Sequence, residues 1–276
     1  MIEILSGDCR ETLRSMPNES VQCCVTSPPY WGLRDYGHNG QLGMEKTPED
    51  FVDNLVDVFR EVRRVLKDDG TLWLNLGDSY ASTTKGSGGP SDLQGTNAGS
   101  RYASRRFVLP SGLKPKDLVG IPWRVALALQ TDGWYLRQDI IWHKPRQMPE
   151  SVTDRCTKAH EYIFLMAKSD RYYYDQEAIK EPSKESGVLR NKRSVWAVMP
   201  AVFKGAHFAT FPEDLITPCV RAGSKRGDTV LDPFAGSGTT GKVAIENGRE
   251  AVLCELNPEY IEMIEERVET TIGFGF

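Results

Sequence analysis

Near the C-terminal end of the 276-residue chain, the sequence reads Val230-Leu-Asp-Pro-Phe-Ala-Gly-Ser-Gly-Thr-Thr-Gly241. Its first residues predict a strand over 229–232, and the glycines that follow predict a tight turn into a helix. Gly236, Gly238 and Gly241 have the G-x-G-x-x-G spacing, which lets the backbone approach a ligand closely while the helix start presents unpaired N–H groups. We therefore predict a nucleotide-type cofactor site in an α/β protein.

The next predicted strand, 251–255, favours a ligand that contains ribose. It ends in Glu255, 23 residues after Asp232, where an acidic side chain accepts hydrogen bonds from ribose hydroxyls. Only 35 residues follow Gly241, fewer than the remaining strands of a dinucleotide-binding fold require. Asp232 also suits a cationic ligand better than a pyrophosphate. Together these features favour S-adenosyl-L-methionine over NAD.

A second motif, Thr26-Ser-Pro-Pro-Tyr-Trp31, follows an apolar strand predicted over 21–26. The two prolines hold the backbone extended, and the carboxyl end of a parallel strand is where α/β sheets bind ligands. The Ser27 hydroxyl and the main-chain carbonyls can accept hydrogen bonds beside the flat faces of Tyr30 and Trp31. We predict a pocket that stacks a planar ring and binds its amino group. The alternative is a rigid loop whose aromatic side chains fill the core.

The rest of the chain alternates between predicted strands and helices, which indicates an α/β fold with a mostly parallel sheet. The predicted strands are 2–5, 21–26, 71–76, 134–142, 162–166, 229–232 and 251–255. The first predicted helix begins at Pro48 and is ended by Asp69-Gly70. The other predicted helices are 122–130, 211–223, 237–247 and 258–270.

The composition excludes several classes of protein. A hydrophobic content of 39% is enough to form a core, which excludes wholesale disorder. No apolar run approaches the roughly 18 residues that span a bilayer, and the N-terminus lacks the pattern of a secretory signal. The six cysteines form no Cys-x-x-Cys pair. We expect a reduced, cytoplasmic chain with no membrane partner and no metal site.

The net charge of −4 conceals two basic segments. Residues 81–116 carry a net charge of +5 and residues 144–204 one of +4, against −13 in the remainder. Such asymmetry indicates a nucleic-acid surface, although basic segments also occur on ordinary solvated surfaces. The first segment is rich in glycine and serine, which suits a flexible loop that closes on phosphates or a passive linker. The predicted nucleic-acid contacts are Arg101, Arg105, Arg106, Lys144, Arg146, Arg190, Lys192 and Arg193.

Both motifs resemble those of the β-order DNA amino-methyltransferases, which are modification enzymes of bacteria and phages. In that family a Ser/Asp/Asn-Pro-Pro-Tyr/Phe turn precedes the cofactor loop, as Ser27–Tyr30 precedes Asp232–Thr240 here. The resemblance covers nearly the whole chain in one consistent order. Its further segments are Ser6-Gly-Asp8-Cys, Leu66-Lys-Asp-Asp-Gly-Thr-Leu-Trp-Leu-Asn75, Arg137-Gln-Asp-Ile-Ile-Trp-His-Lys144 and His207-Phe-Ala-Thr-Phe-Pro-Glu-Asp214.

The resemblance implies a Rossmann-like, S-adenosyl-L-methionine-dependent methyltransferase sheet of seven mostly parallel strands. The catalytic domain would comprise residues 1–143 and 205–276, including a flexible basic loop over 81–116, with residues 144–204 as an inserted DNA-recognition region. That region contains the run Tyr172–Tyr174, which suits contact with nucleic acid or packing inside the fold. The implied catalytic residues are Ser27, Pro28, Pro29 and Tyr30. The implied cofactor-binding residues are Asp8, Thr210, Phe211, Pro212, Asp232, Pro233, Phe234, Ala235, Gly236, Ser237, Gly238, Thr239, Thr240 and Glu255.

The activity implied by the resemblance is methylation of an exocyclic amino group on a base extruded from double-stranded DNA. Tyr30 would stack on that base, while the Ser27 side chain and the Pro28 carbonyl accept hydrogen bonds from its amino group. In the family, serine at the first position of the turn usually accompanies cytosine N4 and aspartate accompanies adenine N6. We therefore expect cytosine N4, with adenine N6 as the alternative. A cognate restriction endonuclease and a second copy of the chain are the expected protein partners.

Three other hypotheses compete with this interpretation. Methylation at cytosine C5 requires a nucleophilic cysteine, and Pro218-Cys219 has the expected dipeptide. Because Cys219 falls within a predicted helix, we interpret it as a small core residue and reject that route. A nucleotide-dependent oxidoreductase built on the glycine-rich turn and a catalytically silent DNA-binding protein remain open.

Overall fold

The computed structural model describes residues 1–33, 37–38, 40–81, 112–147, 149–183, 186–200 and 211–273. Most of the predicted basic loop, with Arg101, Arg105 and Arg106, lies outside these residues, as does Thr210. The described strands are β1 (Ile2–Ser6), β2 (Val21–Thr26), β3 (Leu66–Leu76), β4 (Tyr135–His143), β5 (His160–Ala167), β6 (Glu181–Pro182), β7 (Leu189–Arg190), β8 (Val195–Ala197), β9 (Thr229–Asp232) and β10 (Glu250–Glu255). The α-helices are α1 (Cys9–Ser15), α2 (Pro48–Val65), α3 (Ile121–Thr131), α4 (Glu213–Gly223), α5 (Thr239–Glu246) and α6 (Pro258–Gly273), and Glu177–Ile179 forms a 3₁₀ turn.

Eight of the described strands form one sheet in the order β1-β10-β9-β2-β3-β5-β4-β8. Every neighbouring pair is parallel except the two that involve β5. The α/β class and the mostly parallel sheet are therefore confirmed. β6 and β7 form a separate two-stranded hairpin.

Helices cover both faces of this sheet. Side chains of α1, α2 and α3 pack in one apolar cluster with Leu72 and Leu74 of β3. Side chains of α4, α5 and α6 pack in a second cluster with Val230 of β9 and Leu253 of β10. Because both faces are buried, the central strands are mostly apolar, as expected for a parallel sheet, with a few buried polar side chains such as Asn75 and Asp232. Within the described ranges, no helix has the length and apolar character needed to cross a membrane.

The junction between α2 and β3 differs from the prediction. Thr47 caps α2 by accepting a hydrogen bond from the Asp50 N–H at 3.0 Å, but the helix ends at Val65 and the strand begins at once. Leu66 already pairs with Val21, and an irregularity in the register follows. The Asp69-Gly70 pair lies inside β3, where a Cβ on Gly70 would come within 2.9 Å of the Lys67 carbonyl oxygen. This glycine therefore permits a close backbone approach and does not mark the end of the helix.

The range predicted as an insert, 144–204, contributes two strands to the central sheet. β5 pairs with both β3 and β4, and β8 pairs with β4 as an eighth strand beyond the seven expected. Three residues are too few to produce a visible periodicity, and Trp196 at the centre of β8 is buried by tertiary packing. Helix α1 and the β6–β7 hairpin were likewise not predicted.

One edge of the sheet collects the polar ends of many strands. Because β1, β10, β9, β2, β3 and β4 run in the same direction, their carboxyl ends meet at this edge. β5 runs the other way, so its amino end, with Glu161, lies there too. The edge therefore brings residues that follow distant strands into one region.

Candidate active site

A cavity of about 320 Å³ opens at the carboxyl edge of the sheet. Both motifs line it, so the structure brings together residues more than 200 positions apart in the chain. From the turn these are Ser27, Pro28, Pro29 and Tyr30. From the predicted cofactor set they are Asp8, Phe211, Pro233, Phe234, Ala235, Gly236, Ser237, Thr239 and Glu255. The other described members of that set, Pro212, Asp232, Gly238 and Thr240, lie behind the wall.

The glycine loop, Asp232–Thr240, has a backbone shape that its glycines allow. Gly238 adopts a left-handed φ of 76° and directly precedes α5. A Cβ at this position would come within 3.0 Å of the Ile264 side chain on α6. Glycine is therefore required both for the conformation and for the contact between loop and helix.

Asp232 holds the loop from behind. Only 1% of its surface is exposed, and its carboxylate accepts hydrogen bonds from Thr26 Oγ1 and Thr240 Oγ1, each at 2.6 Å, and from the Phe234 N–H at 3.0 Å. Burial raises the pKa of Asp232 to about 6. Thr26 directly precedes Ser27, so this carboxylate ties the Ser-Pro-Pro-Tyr turn to the start of α5.

Glu255 reaches the cavity from the end of β10. One carboxylate oxygen accepts the Gly236 N–H at 2.7 Å and the other accepts the Asn257 N–H at 2.8 Å. Burial raises the pKa of Glu255 above its ordinary value. Each carboxylate oxygen has two lone pairs, so both keep acceptor capacity for a ligand.

Asp8 lines the cavity from the other side of β10. It caps α1 by accepting the Arg10 N–H, and it also accepts a hydrogen bond from Arg10 Nε, both at 2.9 Å. The bonded Arg10 guanidinium keeps the pKa of Asp8 below its ordinary value. Asp8 therefore carries a negative charge at the cavity wall at neutral pH.

The ring of Tyr30 lies against the backbone at Gly77, and its hydroxyl contacts the polar side chains of Glu161 and Asn75. A Cβ on Gly77 would lie only 2.4 Å from Tyr30 Cε2, so the ring rests against a position that only glycine can occupy. The hydroxyl donates to Glu161 Oε2 at 2.7 Å, and Asn75 Oδ1 lies 3.3 Å away. Trp31, in contrast, is buried, and its indole N–H donates to the Glu45 carbonyl at 3.0 Å. The expectation that Trp31 offers a face to the pocket was wrong, because its ring is part of the core.

Lys144 and Glu161 form an ion pair in the cavity wall. Their side chains are only 16% and 15% exposed. The Lys144 ammonium also lies 4.2 Å from the centre of the Trp142 ring, a cation–π contact. The pair therefore belongs to the interior of the site.

Comparison with known proteins agrees with this geometry. The family model described as "DNA methylase", for the N6 and N4 methyltransferases, matches residues 21–266. The chain belongs to this DNA methylase family. The type II methyltransferase M.Cfr9I of Citrobacter freundii is 53% identical over 266 residues, which cover 96% of this chain and 87% of the relative. The chain is therefore an S-adenosyl-L-methionine-dependent type II DNA methyltransferase, and the oxidoreductase and silent DNA-binding hypotheses are rejected.

Solved structures of methylases share the fold. A DNA modification methylase of Thermus thermophilus, TTHA0409, complexed with S-adenosyl-L-methionine, has 28% sequence identity and a TM-score of 0.68, covering 99% of this chain and 95% of that one. The PvuII DNA methyltransferase, described as cytosine-N4-specific, has 22% identity and a TM-score of 0.71, covering 96% of this chain and 86% of that one. The first of these supports the use of this cofactor, and the second supports the fold alone.

The predicted DNA contacts of the methylase occupy different surroundings. Lys144 is in the cavity wall, and Arg146 is exposed just beyond it. The cations nearest to the Glu181 carboxylate are Arg190, Arg193 and Lys192, at 3.2, 3.5 and 4.0 Å. β8 pairs with β4 from Ile141–Val195 to His143–Ala197, so Arg193, two residues before β8, lies towards the end of this pairing that is farther from Lys144.

The tyrosine run lies at the opposite edge of the methylase sheet. The Tyr173 N–H donates to the Asp69 carbonyl at 2.8 Å, and the Tyr174 ring stacks on Trp73 with centroids 6.2 Å apart. The Tyr172 hydroxyl accepts a hydrogen bond from Arg137 Nε at 3.1 Å. The run therefore packs along the far edge of the fold, which favours the packing alternative.

The buried thiols of the methylase agree with the rejection of a cysteine nucleophile. Cys219 lies in α4, and burial raises its pKa well above the ordinary value. Burial also raises the pKa of Cys23 to about 12. Both groups are neutral thiols at physiological pH. In the described part of the chain, no cluster of three His, Cys, Asp or Glu residues could hold a metal ion.

Several site residues were missed at the level of sequence. Asn75 is a polar residue inside an apolar strand, and a buried polar side chain is an informative signal. Glu161 shows no such signal, because its role depends on the reversed direction of β5. The last helix supplies Tyr260 to the cavity wall and Arg267 to the glycine loop. Arg267 donates to the Ser237 carbonyl and hydroxyl at 3.1 Å and to Glu213 Oε1 at 2.9 Å.

Proposed function

We propose that this DNA methyltransferase modifies N4 of cytosine in double-stranded DNA. The observation that carries the proposal is Ser27, a neutral hydroxyl that lies in the cavity wall as the first residue of the turn. In the family that the turn resembles, serine at this position usually accompanies cytosine.

The turn supplies acceptors and a stacking surface for an extruded base. The Ser27 hydroxyl and the Pro28 carbonyl accept hydrogen bonds from the exocyclic amino group, which directs the nitrogen lone pair towards the cofactor half of the cavity. Extruding the base costs a few kcal/mol. The face of the Tyr30 ring replaces part of the stacking that is lost.

The other side of the cavity fits S-adenosyl-L-methionine, which supplies an electrophilic methyl group when bound. Glu255 has acceptor capacity for ribose hydroxyls, and apolar side chains such as Phe211 and Phe234 line the wall. Asp8 lines the same wall, where its carboxylate pairs with Arg10. We assign cofactor binding to the lining residues Asp8, Phe211, Pro233, Phe234, Ala235, Gly236, Ser237, Thr239 and Glu255, supported from behind by Pro212, Asp232, Gly238 and Thr240.

Asp232 keeps the two sides of the site in a constant relation. Its hydrogen bonds join the residue before Ser27 to the first turn of α5. A direct transfer between two bound groups depends on such positioning, which can contribute about 7–11 kcal/mol to catalysis. No covalent bond to the protein is required.

DNA recognition is assigned to the parts of 144–204 that lie outside the cavity and outside β5 and β8, which join residues 1–143 and 205–276 in the catalytic domain. In the described part of this region, Arg190, Lys192 and Arg193 share one acidic partner, Glu181. This excess positive charge suits phosphate contacts.

A cognate restriction endonuclease is the partner that we propose, because the related M.Cfr9I is named a type II methyltransferase. Plasmid DNA from cells that express the chain should resist one endonuclease of matching specificity. Light scattering on the purified protein tests the proposed homodimer separately.

The deciding experiment is transfer of a radiolabelled methyl group to genomic DNA, followed by chromatography of the nucleosides. We expect N4-methylcytosine, with incorporation strongly reduced in Ser27→Ala. Appearance of N6-methyladenine as the sole product would replace cytosine by adenine and leave the catalytic turn in place. No incorporation by the folded, cofactor-binding protein on any DNA would refute the proposed activity.

A further inference from the structure

The strongest unassigned feature of the cavity is a chain of polar contacts that ends at the Tyr30 hydroxyl. That hydroxyl donates to Glu161 Oε2 at 2.7 Å, while the other carboxylate oxygen, Oε1, pairs with Lys144. One oxygen of the Glu161 carboxylate thus contacts the Lys144 ammonium, and the other contacts the Tyr30 hydroxyl. Glu161 is therefore a bridge between Lys144 and Tyr30.

The bridge is held by the sheet itself. Glu161 pairs with Trp142 across β4 and β5, and the Lys144 ammonium lies over that same Trp142 ring. Asn75 donates to the Tyr162 carbonyl at 3.0 Å, which fixes the amide whose oxygen lies near the Tyr30 hydroxyl. Each partner of the tyrosine is thus attached to a strand, whereas Tyr30 itself lies in a turn.

An ion pair at this depth is poorly explained by stability alone. Bringing both charges out of water costs several kcal/mol, and a well-packed apolar pair of similar volume is often as stable. The pair also lines a cavity, where its side chains have fewer packing partners than in the core. Its position beside the tyrosine that we assign to base stacking indicates a role in the site.

We propose that Glu161 is a positioning residue that sets the orientation of the Tyr30 ring for the extruded base, with Lys144 holding the Glu161 carboxylate. This proposal rests on the proposed function of Tyr30, and it deepens that function by naming what fixes the ring. Gly77 lies close to one side of the ring, while the hydrogen bond to Glu161 holds its hydroxyl end. Loss of the bridge removes that hold on the hydroxyl end and loosens the orientation of the ring.

A double-mutant cycle tests the bridge. We expect Glu161→Ala to lower kcat for methyl incorporation about tenfold or more, with a smaller change in the KM for DNA. Tyr30→Phe keeps the ring and removes the donor, so it should show a similar loss. Because both variants break the same contact, the kcat of the double variant should be no lower than that of the less active single variant. Glu161→Gln, which retains an acceptor oxygen, should recover part of the rate.

The controls separate positioning from folding and from base choice. S-adenosyl-L-methionine affinity, measured by calorimetry, should stay within about twofold in every variant. Glu61→Ala breaks a partly buried ion pair with Arg64 on α2, away from the cavity, and should leave kcat unchanged. Additive losses in the cycle, or equal losses in Glu161→Gln and Glu161→Ala, would overturn the bridge. Because total methyl incorporation is counted, the cycle is valid for cytosine and for adenine, so its failure is distinct from an error in the assigned base.

Discussion

The two halves of the cavity are built by different means. The cofactor half, formed by Asp8, the glycine loop and Glu255, is shaped by backbone: left-handed glycines, main-chain N–H groups and a buried carboxylate behind the wall. The base half, formed by Ser27–Tyr30, Asn75, Lys144 and Glu161, is shaped mainly by side chains that converge from four strands, β2, β3, β4 and β5. The cofactor half thus depends mainly on backbone conformation, and the base half on side chains that strand register brings together.

The comparison predicts that the two halves can be damaged separately. The largest effect should follow Tyr30→Ala, which removes the stacking surface and the hydroxyl together. We expect kcat to fall about 10²–10³-fold, the scale seen when one preorganised group is lost from a site. Calorimetry should show S-adenosyl-L-methionine affinity within about twofold of the parent. A parallel loss of cofactor affinity would show that the halves are not separable.

Asp232, which connects the two halves through its hydrogen bonds, should affect the pH dependence of the free energy of unfolding. Burial raises the pKa of Asp232 from 3.8 to about 6, so the folded state binds this proton more tightly than the unfolded state. The contribution of Asp232 to the free energy of unfolding is therefore greatest below pH 4 and is lost as the pH rises through 6. At 1.36 kcal/mol per pKa unit, the loss is on the order of 2–3 kcal/mol.

Denaturant unfolding of the parent and of Asp232→Asn between pH 4 and pH 7 measures this effect. The parent should lose stability relative to the variant as the pH rises, because asparagine does not titrate. Comparing the two proteins cancels the contributions of other groups, including Glu255. A difference in unfolding free energy that stays constant across this range would contradict the assigned pKa.

A smaller loss, confined to the cofactor half, should follow Arg267→Ala. This side chain bonds Ser237 and Thr239 of the glycine loop and pairs with Glu213. We expect the Kd for S-adenosyl-L-methionine to rise about tenfold, equivalent to about 1.4 kcal/mol, with kcat nearly unchanged at saturating cofactor. Arg221→Ala, which removes a hydrogen bond to Asn247 on the protein surface, is the matched control and should leave the Kd unchanged.

The smallest effect should lie outside both halves. Replacing Lys192 and Arg193 by glutamine should reduce the slope of log K against log salt concentration for DNA binding by about one to two. The rate at saturating DNA should stay close to that of the parent. Binding measured from low to moderate salt gives the slope, and an unchanged slope would remove these residues from the DNA surface. The corresponding prediction for Arg105 and Arg106 falls on residues outside the described ranges.

Much of the fold could be predicted because its signals are local. Apart from the junction between α2 and β3, each predicted strand or helix is found within about three residues of its expected bounds. α1 was missed because seven residues barely complete two turns, and its cap, Asp8, was read only as a ligand. β3 begins early because pairing with Val21 outweighs the turn tendency of Asp69-Gly70.

The candidate site also contains features that local sequence predicts and features that it does not. The glycine loop and the Ser-Pro-Pro-Tyr turn were predicted from residues whose backbone restrictions act wherever they occur. Trp31 was placed in the pocket because adjacency along the chain does not decide which side of a turn faces the core. Asp232 was expected at the ligand, yet its hydrogen bonds from Thr26 and Thr240 place it behind the wall.

The class of fold, the two motifs and their chemistry can be predicted from the sequence, because glycine, proline and apolar periodicity act over a few residues. The surroundings of the motifs depend on tertiary contacts. The antiparallel direction of β5 brings Glu161 to the Tyr30 hydroxyl, and the last helix brings Arg267 to the glycine loop. Such contacts join residues from 30 to 131 positions apart, and they depend on strand order and helix packing, which no short stretch of sequence specifies.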